Sequence, residues 1–533
     1  MPACARSQAR YSRSQKGISY VHTGDLVISA DFGTSGVKIG VVDDTLTLLK
    51  RATATYPLDL APGGHAEQTP DDWWAAFARG LADLRKDIPD LHDRAGAIVI
   101  SSQMCGLVCV DEAGHALRPC LTWLDKRAAT IGQDLIGGFP SVLGYQVGKL
   151  ARWLRIANGA PAKNGMDPTA KMAWIAKHEP EIFARTRWFL DVKDWILHRA
   201  TGRFTTSAES ANMTWLLDSR SGRQGWSSTL TKMTNLPIEK LPEIVDADEV
   251  LGTLTPQAAA ELGLNSALPV LGGTSDVTAA ALGSGEVEDG ALHISAATSV
   301  WISGFMPGRI LNVPSSYATI SSGLGYRPLL IASQENAGSA MEWAVRVSGG
   351  TTSGESLAGA FDDMGAPVPD DPYFLPWLAG ERVPVDNDAL RGVFHGLGLH
   401  HDARALRRAA VEGVAMNIRW SYSRVIREKA VRTDGPISMV GGVAGNAAFA
   451  QTVADTLNRP VRVGETRHAG VLGTATLAAP TMGWADTAFE AAARLRAHSS
   501  ALYTPDPTRV EQLEARYQKL DKIRKDILRS YRH

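Results

Sequence analysis

A strand, a short turn of threonine and serine, and a second strand occur twice in this chain, once near the start of each half. The first copy runs from Leu26-Val27-Ile28 into Ala30-Asp31-Phe32-Gly33-Thr34-Ser35-Gly36 and out through Val37-Lys38-Ile39-Gly40-Val41-Val42. The second runs from Ile294-Ser295-Ala296 into Ala297-Thr298-Ser299 and out through Val300-Trp301-Ile302-Ser303-Gly304. Hairpins of one design opening both halves predict two domains of similar build that face one another across a cleft. Length agrees, because 533 residues exceed one ordinary core and suit two domains. Their expected extents are residues 25–285 and 286–533. Residues 1–24 carry Arg6, Arg10, Arg13 and Lys16 with no acidic residue; lacking an amphipathic apolar face, they read as a disordered or non-essential extension.

Each turn is also a chemical feature. Backbone N–H groups and the hydroxyls of Thr34 and Ser35 can gather around phosphate oxygens, and Asp31 at the strand end can hold a magnesium ion through its water shell. An ordinary polar hairpin is the plain alternative. No G-x-x-x-x-G-K-[ST] occurs, which excludes a P-loop. A second carboxylate is presented by Gly272-Gly273-Thr274-Ser275-Asp276, between the apolar run Leu268 to Leu271 and the small residues Thr278 to Ala281. A strand feeding a glycine turn and a tightly packed helix leaves Asp276 two roles, facing a cleft or capping the helix that follows.

Other segments take their places around these. Thr69-Pro70-Asp71-Asp72 predicts a helix start with Trp74, Phe77, Leu81 and Leu84 on its apolar face. A buried strand from Ala97 to Ser101 reaches Gln103-Met104-Cys105-Gly106, a polar break before Leu107 to Val110 where a ligand can be met. Trp123, Asp125 and Arg127 follow; they can supply an aromatic wall and charged groups, or, for the last two, a surface ion pair. Asp167-Pro168 opens a helix carrying Lys171, Met172, Trp174 and Ile175. Late in the chain, the strand Ile437 to Val440 leads to Gly441-Gly442-Val443-Ala444-Gly445-Asn446 and a helix, a turn that suits close approach of a flat ligand or simply joins two elements. Asp506-Pro507 begins a terminal helix with Val510, Leu513, Tyr517, Leu520, Ile523 and Ile527 at helical spacing.

Composition narrows the partners. A net charge of -1 leaves no basic excess for a phosphate backbone, so neither nucleic acid nor an anionic membrane is expected. Four cysteines without a C-x-x-C pair are too few for a disulfide framework in a chain of this size and point to a reducing, cytoplasmic compartment. The best apolar run, Ala97 to Val110, is broken by Ser101, Ser102 and Gln103, short of the roughly 20 residues a membrane span needs.

Taken together and in this order, these segments resemble the FGGY carbohydrate kinases from about Leu26 to Tyr531. Asp31 to Lys38 looks like the family's first phosphate loop, and Gln103-Met104 with Trp123, Asp125 and Arg127 looks like its sugar-site segment. Met166-x-Pro168-x-x-Lys171-Met172-x-Trp174-Ile175 fits the first family signature, while Pro376 to Arg382 and Arg391 to Glu412 fit motifs of the second domain. Asp276 stands where the family has its catalytic aspartate, Thr298 and Ser299 at its second phosphate loop, and Gly441-Gly442 at its adenosine loop.

The resemblance implies an α/β fold of two actin-like (ribonuclease H-like) ATPase domains that close over a sugar or polyol and MgATP. It assigns Asp276 as general base and Asp31 to the metal. The sugar would meet Gln103, Met104, Cys105, Trp123, Asp125 and Arg127; ATP would meet Gly33, Thr34, Ser35, Lys38, Thr298, Ser299, Gly441, Gly442 and Asn446. The implied activity is ATP-dependent phosphorylation of a ketopentose or related sugar or polyol, xylulose kinase being the nearest named one, and a homodimer is compatible with it. Four residues depart from the pattern: Cys105 replaces the histidine that xylulose kinases place after Gln-Met, Val277 replaces a polar residue, Ala297 replaces glycine before Thr-Ser, and Ala444-Gly445 replaces Ala-Lys or Ala-Arg. The last two leave an alternative, a catalytically weak homologue that binds sugar or regulates. The twin hairpins alone would also suit an actin-like filament protein.

Overall fold

The computed structural model describes residues 24–350, 361, 364–464, 468–499 and 501–531; of the expected extension at 1–24, all but Gly24 lies outside them. In the first half, β1 (Leu26–Phe32) pairs antiparallel with β2 (Gly36–Val42), which pairs antiparallel with β3 (Leu48–Thr55). Helix α1 (Pro70–Asp87) then returns the chain to β4 (Ala95–Ser102), parallel to β1. The start of α1 falls at the expected Thr69-Pro70, although the Thr69 hydroxyl makes no capping bond; a proline in the first turn and the acids Asp71 and Asp72 suit the start instead. Its buried face is Trp73, Trp74, Phe77, Leu81 and Leu84, packed on Phe32, Ile39 and Ile98.

Helices α2 (Pro168–His178) and α3 (Val192–Thr201) precede β5 (Pro269–Leu271) and the two-residue β6 (Thr274–Ser275), both parallel to β4; α4 (Asp276–Gly283) follows directly. The order across this sheet is Val250–Thr253, β5, β4, β1, β2, β3. In the second half, β7 (His293–Ala296), β8 (Val300–Phe305), β9 (Pro328–Gln334), β10 (Ile437–Val440) and β11 (Val461–Val463) belong to an eight-stranded sheet. Here β8 is antiparallel to β7 and β9, β10 is parallel to β7, and β11 is parallel to β10. Three antiparallel strands followed by two parallel ones, in the same order and sense, form the centre of both sheets. The repeat expected from the two hairpins therefore extends to these five strands, while the second sheet carries two further antiparallel strands beyond β9.

Helices of the second half include α5 (Ala403–Val425), α6 (Ala447–Leu457) and α7 (Ala469–Thr476). The terminal α8 (Pro507–Ser530) buries Leu513 and Leu520 on a cluster with Trp377 and Trp420. Helix α7 does not stay with its own sheet. Leu472 and Ala475 join Val27, Ala97, Val99, Val277, Ala281 and Phe305 in one apolar cluster drawn from both halves. The α4 and α7 backbones meet almost without side chains, since a Cβ added at Gly473 would lie 1.9 Å from the Ala279 carbonyl oxygen and one added at Gly283 would lie 2.0 Å from that of Ala469. Among the described residues no helix is long and apolar enough to cross a membrane, and Cys105, Cys109 and Cys120 are free thiols.

Candidate active site

The carboxyl ends of parallel strands are where open α/β sheets bind ligands, and here they gather two carboxylates. Register places Asp31 of β1 beside Ser101 of β4, and Ser101 beside Thr274 of β6. The Ser101 hydroxyl donates to Asp31 Oδ1 at 2.9 Å, and Asp276 begins α4 one residue beyond β6. The helix-cap role belongs to its neighbour, because Ser275 is the residue whose side chain accepts from the Thr278 N–H. Asp276 is therefore not needed for the cap. Burial, with the Asp31 and Asp191 charges adding to it, pushes its carboxyl up to about 8. Raised basicity of this kind marks a carboxyl suited to proton transfer once a nearby positive charge favours its ionised form.

The first turn is closed by Gly33 N–H donating to the Gly36 carbonyl at 3.0 Å, and Tyr56 holds the Gly33 carbonyl through its hydroxyl at 2.5 Å. Ser35 and Lys38 are exposed, and Lys38 lies directly across from Asp31 in the hairpin. Thr34 faces the sugar-site segment: its hydroxyl donates to Gln103 Oε1 at 3.1 Å and accepts from the Trp123 indole at 2.9 Å. Gln68 completes this lattice. Its amide donates to the Thr34 carbonyl at 2.7 Å, and its Oε1 accepts from Gln103 at 2.9 Å and from Trp73 at 3.3 Å. The first turn and the Gln103 segment are thus tied together by side-chain hydrogen bonds. Sequence reasoning missed Gln68, whose only signal is a polar residue just before a helix start. Gln68→Leu leaves buried donors without acceptors, so a loss of about 1–3 kcal/mol of stability is expected in denaturant unfolding.

Met104 and Cys105 are partly exposed beside this lattice, and Cys105 has a left-handed backbone with φ of 64°. Asp125 corrects one expectation. It is buried rather than part of a surface pair, and both oxygens are engaged within the protein, Oδ2 by the Ala66 N–H and Arg127 Nε at 2.9 Å each and Oδ1 by the Arg127 N–H at 3.1 Å. Arg127 also pairs with Glu67, whose Oε1 it shares with Arg118, and its guanidinium lies 5.0 Å from the Trp174 ring centre. The pair braces the segment before α1, with Arg127 half-buried.

The second-half residues expected to meet ATP form a second group. Ala297 N–H donates to the Ser299 carbonyl at 2.9 Å and closes the second turn, leaving Thr298 exposed. Ala297 is not among the residues with positive φ, so an alanine is accommodated without strain where the family pattern has glycine. Gly441 has a φ of 99° and stands so close to β7 that a Cβ would lie 2.3 Å from the Ala296 carbonyl oxygen, whereas a Cβ at Gly442 would meet nothing within 4 Å. Only a glycine fits the first position, and the second leaves room for a ligand. Asn446 is buried, and its Oδ1 caps α6 by accepting from the Phe449 N–H at 2.8 Å. Helix α7 joins the groups, since a Cβ at Gly470 would lie 2.7 Å from Asp31 Oδ2.

Comparison with known proteins gives this arrangement its relatives. A model of the FGGY family of carbohydrate kinases, N-terminal domain, matches residues 26–283, and the C-terminal domain model of the same family matches residues 311–482. A xylulose kinase of Escherichia coli (strain K12) is 28% identical over 432 residues, covering 81% of this chain and 84% of its own. A gluconokinase of Bacillus subtilis (strain 168) is 25% identical over 479 residues, 86% of this chain and 88% of its own. The crystal structure of ligand-bound xylulose kinase from Lactobacillus acidophilus shares the fold, with a TM-score of 0.81 at 23% identity over 95% of this chain and 99% of that one. With both domain models matched in order and the duplicated sheets in place, the chain belongs to the FGGY family of carbohydrate kinases and is a sugar kinase.

Proposed function

We propose that this enzyme transfers the γ-phosphoryl group of ATP to a hydroxyl of a ketopentose or a related sugar or polyol, with Asp276 as general base. The observation that carries this reading is the position of Asp276: at the mouth of the first sheet, opposite Asp31, relieved of capping by Ser275, and with a carboxyl raised to about 8. A sugar hydroxyl is a poor nucleophile at neutral pH, so a carboxylate that removes its proton as the phosphoryl group moves is worth roughly 10²- to 10⁴-fold. The Gln103 segment and the Trp123 wall, fixed by Gln68 and Thr34, would orient the acceptor. The backbone N–H groups of the two turns would line the path of the phosphates, with Lys38 near the first, and Gly441-Gly442 would receive the adenosine.

The donor set also fits a hard cation. Asp31 and Asp276 offer oxygens at a place where two carboxylates already repel one another, which suits Mg²⁺; Asp31 would hold it through water. Magnesium bound there would neutralise charge on the transferring phosphate. The chain's own task is to keep Asp31 aimed, through the Ser101 hydroxyl on one oxygen and the close Gly470 backbone by the other.

Substrate choice follows from Cys105 and Val277. Neither side chain offers a strong hydrogen-bond group, and a site without such groups barely rejects substrates by their hydroxyl pattern. D-xylulose should therefore be matched or beaten by another ketose or polyol when kcat/KM is compared across a panel. A hundredfold or greater preference for D-xylulose over every other acceptor would contradict this. The same panel, followed by ADP release, tests the activity itself.

A further inference from the structure

Cys105 is a partly exposed residue of the acceptor segment whose backbone lies in the left-handed region, at a φ of 64°. For a residue with a Cβ that conformation costs on the order of 1–3 kcal/mol and persists only where the surroundings over-determine it. The surroundings here are two buried charges. The Lys171 ammonium of α2, fully buried, donates to the Cys105 carbonyl oxygen at 2.8 Å and to the Thr122 carbonyl oxygen at 2.6 Å. The Asp191 carboxylate at the head of α3, also buried, accepts from the next N–H in the chain, that of Gly106, at 2.9 Å through Oδ1.

We infer that Lys171 and Asp191 grip the Cys105–Gly106 peptide unit from its two ends and so act as positioning residues for the acceptor. The oxygen of that unit meets a cation and its N–H meets an anion, each in the sense that the peptide dipole favours, and charge-assisted bonds are roughly twice as strong as neutral ones. Among the described residues no carboxylate forms an ion pair with Lys171, whose ammonium bonds two backbone carbonyls. Burying a charge for that purpose is costly unless the carbonyls must be held. Because its second bond is to Thr122, the same ammonium ties the Cys105 segment to the chain entering Trp123. Glycine at 106 makes the grip possible: a Cβ there would lie 3.0 Å from Asp191 Oδ1, 2.8 Å from Val192 Cγ2 and 3.2 Å from Cys120 Sγ. Asp191 also caps α3, its Oδ1 accepting from the Val192 N–H at 2.8 Å, so the acceptor segment is anchored to the ends of two helices. That the gripped segment faces a sugar rests on the proposed function above; the grip itself does not.

Lys171→Gln, Asp191→Ala, Asp191→Asn and the Lys171→Gln/Asp191→Ala pair test this in the full chain, by steady-state kinetics and by amide hydrogen exchange over residues 103–107. The expected result is an acceptor KM raised at least tenfold in Lys171→Gln and Asp191→Ala, with the KM for ATP within twofold of the parent. Asp191→Asn, which keeps an acceptor atom and the helix cap, should recover most of the loss. The double variant should be little worse than the weaker single one, because either change opens the same grip. Exchange over 103–107 should quicken at least tenfold while α5 keeps its rate. Should Lys171→Gln fail to fold, Asp191→Ala and Gly106→Ala carry the same readouts. Equal damage to both substrate constants, single effects that multiply, or unchanged exchange over 103–107 would each overturn the inference. If the parent enzyme turns over no sugar or polyol, the functional reading fails and exchange alone decides the grip.

Discussion

Asp276→Asn is expected to lose roughly 10²-fold or more in kcat, about 3 kcal/mol of transition-state stabilisation, while its melting temperature and ATP affinity stay close to those of the parent. The reason lies in the division of labour at the head of α4. Ser275 accepts the Thr278 N–H and caps the helix, so the structural duty one could assign to Asp276 is already met. Asparagine keeps the size of the side chain and much of its hydrogen bonding, and it also removes a carboxylate that burial and Asp31 make unfavourable to ionise. Stability should therefore be unchanged or slightly higher. A stable variant with parental turnover would show that the proton leaves by another route. A variant that unfolds would show that Asp276 is structural after all. Asp31→Asn should differ by a weakened response of turnover to magnesium concentration.

Gly473→Ala is the second large expected effect, and it runs against helix propensity. Alanine in a helix interior is favoured over glycine by about 1 kcal/mol. At this position the new methyl would lie 1.9 Å from the Ala279 carbonyl oxygen and 2.5 Å from the Gly283 nitrogen. Those are backbone atoms that cannot rotate aside, so α4 and α7 must separate. Overpacking of this kind costs typically about 1–3 kcal/mol and occasionally more, which outweighs the propensity gain and gives a net loss on the order of 1–2 kcal/mol. Activity should fall further than stability, because α4 carries Asp276 and α7 brings Gly470 against Asp31. Chemical unfolding together with steady-state kinetics checks both parts. A variant as stable and active as the parent would mean that the two helices can move apart freely.

Much of the architecture was legible because it rests on local chemistry that repeats. Thr-Ser turns between apolar strands at 33–36 and 297–299 fixed the hairpins, and the five central strands around them follow one order in both halves. Asp276 was legible as a carboxylate on a glycine turn; its freedom from capping was not, since Ser275 and Asp276 are both good capping residues and only the backbone shows which one caps. Asp125 and Arg127 read as a surface pair because charged residues two apart in a loop usually are. Their burial depends on Glu67, Arg118 and Trp174, which come from three other segments. Asn446 read as a ligand for the nucleotide because it ends a glycine turn; its Oδ1 also caps the helix behind it, which the sequence does not reveal. Gln68 left almost no local signal, because its partners Trp73, Pro57, Thr34 and Gln103 are 5, 11, 34 and 35 residues away.

The helix α7 was the largest omission in the fold. Its residues read as part of the second half, and nothing in a run of alanine, glycine and threonine says that it will lie against β1 of the first. What makes the crossing possible is the absence of side chains at Gly283 and Gly473, which becomes informative only once the two helices are seen together.

The central claim is that this enzyme moves phosphate from ATP to a sugar or polyol hydroxyl, and coupled measurement of ADP release with MgATP, with and without a panel of ketoses, sugar acids and polyols, tests it most directly. The account predicts that at least one acceptor raises ADP release far above the acceptor-free rate, with one phosphorylated acceptor formed per ADP, and that Asp276→Asn abolishes the increment. ADP release that is the same with every acceptor as with none would contradict it.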